Sequence, residues 1–216
     1  MNLATLQSEL AAVCADCGRD PADIAIVAVT KKREPAEINE LIKSGITIIG
    51  ENRVQEAIAK FPKLQPCKKH FIGHTQTNKV RGIVANFDCI QSVDSLRLAE
   101  RLHDECERTG KKIAVFVQAN IAGEKSKSGF AETELPHAVA QIRQMPHLQL
   151  DGLMVIGPHT KDENYILQVF ERGREMADAC ELQSYSAGMS SDWQLAVRAG
   201  ATHLRIGTGL FDEKQT

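Results

Sequence analysis

Residues 24–52 read IAIVAVTKKREPAEINELIKSGITIIGEN. Ile24 to Thr30 is an almost unbroken run of Ile, Val and Ala, the pattern of a strand covered on both faces. Pro35 then opens a helix whose inner side carries Ile38, Leu41 and Ile42, and Gly45 closes it. Ile46 to Ile49 supplies a second strand of the same kind. A strand, a short helix and another strand, each ended by its own turn residue, is the unit from which parallel sheets are built.

The unit repeats outward from this stretch. Before it, Leu3, Leu6, Leu10, Val13 and Cys17 recur at spacings of three and four and predict an amphipathic helix ahead of any strand. After it, a helix carries Val54, Ala57, Ile58 and Phe61. His70 to Gly73 reads as a third strand, followed by a helix through Val80, Ile83 and Val84. Cys89 to Val93 is the fourth strand, and Asp94 or Ser95 caps a helix that stops at Gly110. Ile113 to Ile121 is the clearest strand, with Leu135, Val139 and Ile142 behind it. Leu148 to Ile156 is the sixth, backed by a helix from about residue 163 to 182. Tyr185 to Ser186 is a weak seventh, and His203 to Ile206 a short eighth. Eight strands alternating with helices predict one (β/α)8 barrel of the TIM type over residues 1–216, with an extra N-terminal helix. An open doubly wound sheet is the alternative.

Composition excludes other classes. The 216 residues are 43% hydrophobic and 25% charged with a net charge of −2, too balanced for a general nucleic-acid surface. Glu9 interrupts the N-terminal segment, so neither a signal peptide nor a membrane span is expected there, and a cytoplasmic location follows. The six cysteines are then reduced thiols. Cys14 and Cys17 form a C-x-x-C without a second pair at a matching distance, so a bound metal or redox centre is not expected. His70 and His74 are four apart, but a metal-binding face needs a helix there, and Phe71-Ile72-Gly73 reads as strand.

In such a barrel, chemistry sits where the strands end. Lys31 stands just past the first strand, where partial desolvation would lower its pKa and free the amine to attack an aldehyde; a solvated loop lysine is the alternative. Asn52, past the second strand, either contacts a ligand or caps the next helix. Ser186 to Asp192 leads from a strand into a helix through small residues, and Ile206-Gly207-Thr208-Gly209 offers a similar turn beside it. Together they suit a phosphate, whereas the plainer reading makes Ser190 or Ser191 an N-cap. Arg205, within the eighth strand, is either half of an ion pair or a ligand contact. Trp193 packs beneath the turn.

Taken together, these segments resemble the pyridoxal 5′-phosphate (PLP) homeostasis family, the proline synthase co-transcribed type, which is similar to the N-terminal barrel of alanine racemase. The carriers are Ala28-Val29-Thr30-Lys31, Gly50-Glu51-Asn52 with Gln55-Glu56, and His70-Phe71-Ile72-Gly73 with Gln76, Asn78 and Lys79. Then come Asn120, Glu124, Lys127-Ser128-Gly129, Gly152-Leu153-Met154, Gly188-Met189-Ser190 with Asp192, and Arg205-Ile206-Gly207-Thr208 with Phe211. The resemblance implies a fold-type III PLP barrel without the C-terminal β domain. It implies PLP as a Schiff base on Lys31, its phosphate among Met189, Ser190, Gly207 and Thr208, and its pyridine nitrogen facing Arg205. Three residues depart from the family pattern: Thr75 and Ala187, as modest packing changes, and Asp212, which bears on the last turn.

Two functions follow from the resemblance. One is a monomeric PLP carrier or buffer in vitamin B6 homeostasis, with PLP-dependent apo-enzymes as recipients. The other is an amino-acid racemase, which would need a second base; in alanine racemases a tyrosine from another domain supplies it. Tyr165 and Tyr185 lie in no matching motif, so the carrier is expected. A regulatory or scaffolding role is a third reading.

Overall fold

Strand β1 (Ala25–Val29) pairs in parallel with β2 (Ile48–Glu51) on one side, Val27 opposite Ile48. On its other side it pairs with β8 (His203–Ile206), Val27 opposite Arg205. The first strand therefore meets the last, and the sheet closes into a barrel in the order β1 to β8. The structure is a computed structural model describing residues 2–124 and 127–211. The remaining strands are β3 (Lys68–Phe71), β4 (Cys89–Val93), β5 (Ile113–Ala119), β6 (Leu148–Val155) and β7 (Ser184–Ser186). The open-sheet alternative is thereby ruled out. Among the described residues there is no second, β-rich domain, and no helix is long and apolar enough to cross a membrane.

Helix α1 (Leu3–Cys17) precedes the barrel, and α2 (Pro35–Lys43), α3 (Val54–Lys60), α4 (Val80–Asn86), α5 (Leu96–Thr109), α6 (Leu135–Arg143), α7 (Glu163–Ala179) and α8 (Trp193–Arg198) follow successive strands. Local chemistry sets the ends. Asn2 Oδ1 accepts the Thr5 amide at the start of α1; of the two residues expected to cap α5, Ser95 does so, accepting from Leu98. Gly110 ends α5 at φ +67°, a left-handed conformation that glycine adopts without steric cost. Leu3, Leu6, Leu10 and Cys14 are buried along one stripe of α1.

Side chains of each strand alternate between two cores. Ala28, Ile49, Phe71, Ile90, Val117, Leu153, Tyr185 and Leu204 face the helices in one large cluster. Cys89, Phe116 and Met154 pack inside the barrel in a smaller one. Polar side chains share this interior: His70, Gln91, Ser186 and Arg205 are all buried. Strand β7 read weakly because it is three residues long and only Tyr185 is apolar.

Candidate functional site at the barrel mouth

On β1, Val27 and Val29 face the interior: a Cβ on Gly50 would lie 2.9 Å from Val27 Cγ1, and one on Gly207 3.4 Å from Val29 Cβ. Lys31 follows two residues after Val29, at the rim. Its side chain is exposed, so the desolvation expected from its place after an apolar run is not found. The strand ends at Val29, and Lys31 already belongs to the turn beyond it. Lys31 opens onto a pocket of about 660 Å³ that also takes in Lys32, Arg33, Asn52 and Arg53, with Glu56 as its one carboxylate.

Asn52 does not cap α3. Arg53 occupies the N-cap position without a side-chain bond, leaving the Asn52 amide to line the pocket. Its backbone lies against the exit of β3, where a Cβ on Gly73 would come within 2.3 Å of the Asn52 carbonyl oxygen.

The turns after β7 and β8 meet. The Gly207 N–H donates to Ser190 Oγ at 3.3 Å, so both polar groups converge on one point of the rim beside β1. Neither Ser190 nor Ser191 caps α8; Asp192 holds that position, and its Oδ1 accepts the Met189 amide at 2.6 Å. Burial pushes the Asp192 carboxyl up, against the opposing pull of the Met189 amide and of Arg205. Gly188 adopts φ +85°, and a Cβ there would meet Ala196 Cβ at 2.6 Å, so only glycine fits. Trp193 is buried beneath this turn, as expected. Met189 is partly exposed and lines a neighbouring pocket of about 670 Å³ with Lys127 and Gly157; Thr208 is exposed.

Arg205 lies below, inside the barrel. Its guanidinium donates to Ser186 Oγ at 2.7 Å and to the Val155 carbonyl at 2.9 Å, neutral acceptors rather than a carboxylate. Burial lowers its pKa to about 10, with Asp192 and Tyr185 pulling the other way, so it stays charged at neutral pH. Ser186 in turn bonds Gln91 Oε1 at 2.7 Å, and Gln91 Nε2 lies 2.8 Å from His70 Nδ1. Arginine has only donors, so the Ser186 proton goes to Gln91, the Gln91 amine to His70, and the His70 proton sits on Nε2. Burial, His203 and Lys68 push His70 down to about 3; burial, Arg205 and Lys68 push His203 down to about 4. The sequence reading passed over Gln91 and took Ser186 only as the start of the phosphate turn. Their signal was parity: polar residues at 91, 186, 203 and 205 fall on inward-facing positions.

The other expectations resolve individually. His70 is on β3 within the barrel, while His74 lies beyond it, 3.3 Å from Asp94 Oδ2. Cys14 and Cys17 are on helix α1, where the Cys17 thiol bonds the Val13 carbonyl. Thr75 does more than pack: its hydroxyl lies 3.3 Å from Ser92 Oγ. Ala187 is buried. Asp212 lies outside the described residues.

The family model for the alanine racemase N-terminal domain matches residues 1–214. The chain belongs to that family. Within it, the chain is 38% identical over 223 residues to the pyridoxal phosphate homeostasis protein of Escherichia coli K12, covering 97% of this chain and 94% of the relative. It is 37% identical to the protein of the same name from Pseudomonas aeruginosa, covering 97% and 93%. The solved structure of PipY from Synechococcus elongatus with PLP bound superposes at a TM-score of 0.83 with 36% identity, covering 94% of this chain and 99% of that one. An alanine racemase from Clostridium difficile shares the barrel at a TM-score of 0.73 with 14% identity, covering all of this chain and 59% of that one, a likeness of fold alone. The resemblance to the homeostasis family and the barrel both stand.

Proposed function

We propose that this chain holds PLP through Lys31 and serves as a PLP carrier in vitamin B6 homeostasis. One juxtaposition carries the reading: Lys31 follows β1 at the rim two residues beyond Val29, Val29 adjoins Gly207, and Gly207 bonds Ser190 across the exits of β7 and β8. The shared name of its relatives supports it. The chain's groups suit each part of the ligand. Backbone amides and hydroxyls at Met189, Ser190, Gly207 and Thr208 would hold the phosphate, and Asn52 would contact the ring side of the mouth. Arg205 would meet the pyridine nitrogen with a fixed donor and keep it unprotonated. PLP would supply an aldehyde, and the Lys31 amine is the group that would hold it as a Schiff base. A donor at the ring nitrogen weakens the electron sink on which turnover depends.

The tyrosines favour the carrier over the racemase. Tyr185 is buried, burial raises its hydroxyl pKa, and it donates to the Phe170 carbonyl at 2.9 Å on the helix side of the barrel. Tyr165 is exposed on α7. The same reading makes the chain a monomer in the cytoplasm whose recipients are PLP-dependent apo-enzymes.

Purified protein mixed with PLP should turn yellow, and borohydride should fix the label on Lys31 and not in Lys31→Ala. A protein that takes up no reducible PLP would overturn the reading. Chiral analysis after incubation with L-alanine should find no D-isomer that depends on Lys31.

A further inference from the structure

Lys31 has an exposed side chain, yet the backbone on both sides of it is tied down. Lys60, on α3, is buried and spends its ammonium on three acceptors: the Thr30 carbonyl at 2.8 Å, Glu51 Oε1 at 2.8 Å and Glu56 Oε1 at 2.7 Å. Thr30 Oγ1 also donates to Glu51 Oε1, at 2.6 Å. Glu56 Oε1 in turn accepts the Lys32 amide at 2.5 Å. Thr30 and Lys32 flank Lys31, so one ammonium fixes the residue before it directly and the residue after it through a carboxylate.

Lys32 needs this restraint. It adopts φ +59°, a left-handed conformation that is strained for a residue with a Cβ and persists only where surrounding contacts impose it. Burial acts to raise the Glu56 carboxyl, but the bonds from Lys60 and from the Lys32 amide outweigh it and hold the group below the usual glutamate value. It therefore stays an ionised acceptor across the neutral range. Glu51 is wholly buried, and its Oε2 has no hydrogen-bond partner. Burying charge this way is costly, and an apolar pair of similar volume would join α3 to β2 without that cost. The charged arrangement adds a hold on the Lys31 turn that an apolar pair cannot supply.

We propose that Lys60, held by Glu51 and relayed through Glu56, is a positioning residue for Lys31: it fixes the backbone on either side so that the amine enters the barrel mouth in a set direction. The proposal rests on Lys31 being the PLP lysine.

Glu56 is the place to test it, because it is only partly buried and its removal leaves the Glu51–Lys60 pair intact. Amide exchange at Lys32 is measured in PLP-free wild type, Glu56→Ala and Glu56→Gln. The rate of borohydride-reducible PLP capture at Lys31 is measured in the same set and in Lys31→Ala. Loss of the restraining bond should speed Lys32 exchange and slow capture by about tenfold each in Glu56→Ala. Glu56→Gln, which keeps an acceptor oxygen, should restore most of both. Unchanged exchange, or accelerated exchange with wild-type capture, overturns the proposal. Should wild type itself capture no PLP at Lys31, the carrier reading falls and the positioning role falls with it. Failure in Glu56→Ala alone removes only the positioning role.

Discussion

Ser186 Oγ takes the Arg205 guanidinium at 2.7 Å and passes its own proton to Gln91 across 95 residues of sequence. One hydroxyl therefore satisfies two buried groups at once. Ser186→Ala would leave both without that partner, which costs about 2 kcal/mol. Urea unfolding should show the loss as a lower midpoint at unchanged slope; a midpoint equal to wild type would contradict the Arg205–Ser186–Gln91 chain of bonds.

The two interior histidines make stability fall on mild acidification. Both have folded pKa values depressed below the ordinary 6.5, to about 3 for His70 and about 4 for His203. Between those values and 6.5 the unfolded chain binds protons that the fold refuses. Their contribution is complete above pH 6.5 and declines as pH falls, by up to about 1.4 kcal/mol per pH unit for each histidine. Asp192, whose carboxyl burial pushes up, works in the opposite direction, so urea midpoints of wild type against His70→Gln and His203→Gln between pH 6.5 and 5 isolate the effect. Flat stability there would refute the assignment.

Lys60 and Glu51 are both buried and bonded to each other. Lys60→Met would strand the Glu51 carboxylate and destabilise the protein by about 3–5 kcal/mol. Adding Glu51→Gln should recover most of that loss, because the stranded charge is gone. Thermal unfolding of the single and double variants checks this, and additive losses would count against it.

Two glycines on the rim should answer differently to the same methyl group. Gly188→Ala meets both a left-handed φ and the Ala196 side chain, so it should cost about 2–4 kcal/mol of stability. At Gly207 a Cβ would make only an ordinary 3.4 Å contact with Val29. Gly207→Ala should therefore keep the wild-type melting temperature while weakening PLP retention about tenfold by crowding the phosphate point. Equilibrium dialysis beside calorimetry separates the two outcomes.

How much of this was readable from sequence depends on the range of the signal. The strands that face two apolar layers announce themselves as apolar runs, as Ala25–Val29 and Ile113–Val117 do, and their alternation with helices led to the barrel. Boundaries shifted where a run continued past the ladder: Ile24 and Thr30 flank β1 but lie outside it. Lys31, Ser190 and Gly207 stood out in the sequence as strand-exit residues and Arg205 as a charge within a strand. Their partners did not. Thr30 and Lys60 are 30 residues apart, and nothing local in α3 shows that its Lys60 reaches back to β1. Asn52 read equally as a ligand contact or a cap, because an asparagine before a helix is usually a cap; here Arg53 takes the N-cap position.

Strand β7 joins β8 through a single register pair, Ser186 with His203. The exits of those same two strands carry Ser190 and Gly207. A phosphate gripped by both turns would act as a fastener across the shortest ladder in the hoop, so its binding energy would appear as slower local opening at that seam. Occupancy could then be read from amide protection of β7 and β8 without observing the cofactor at all.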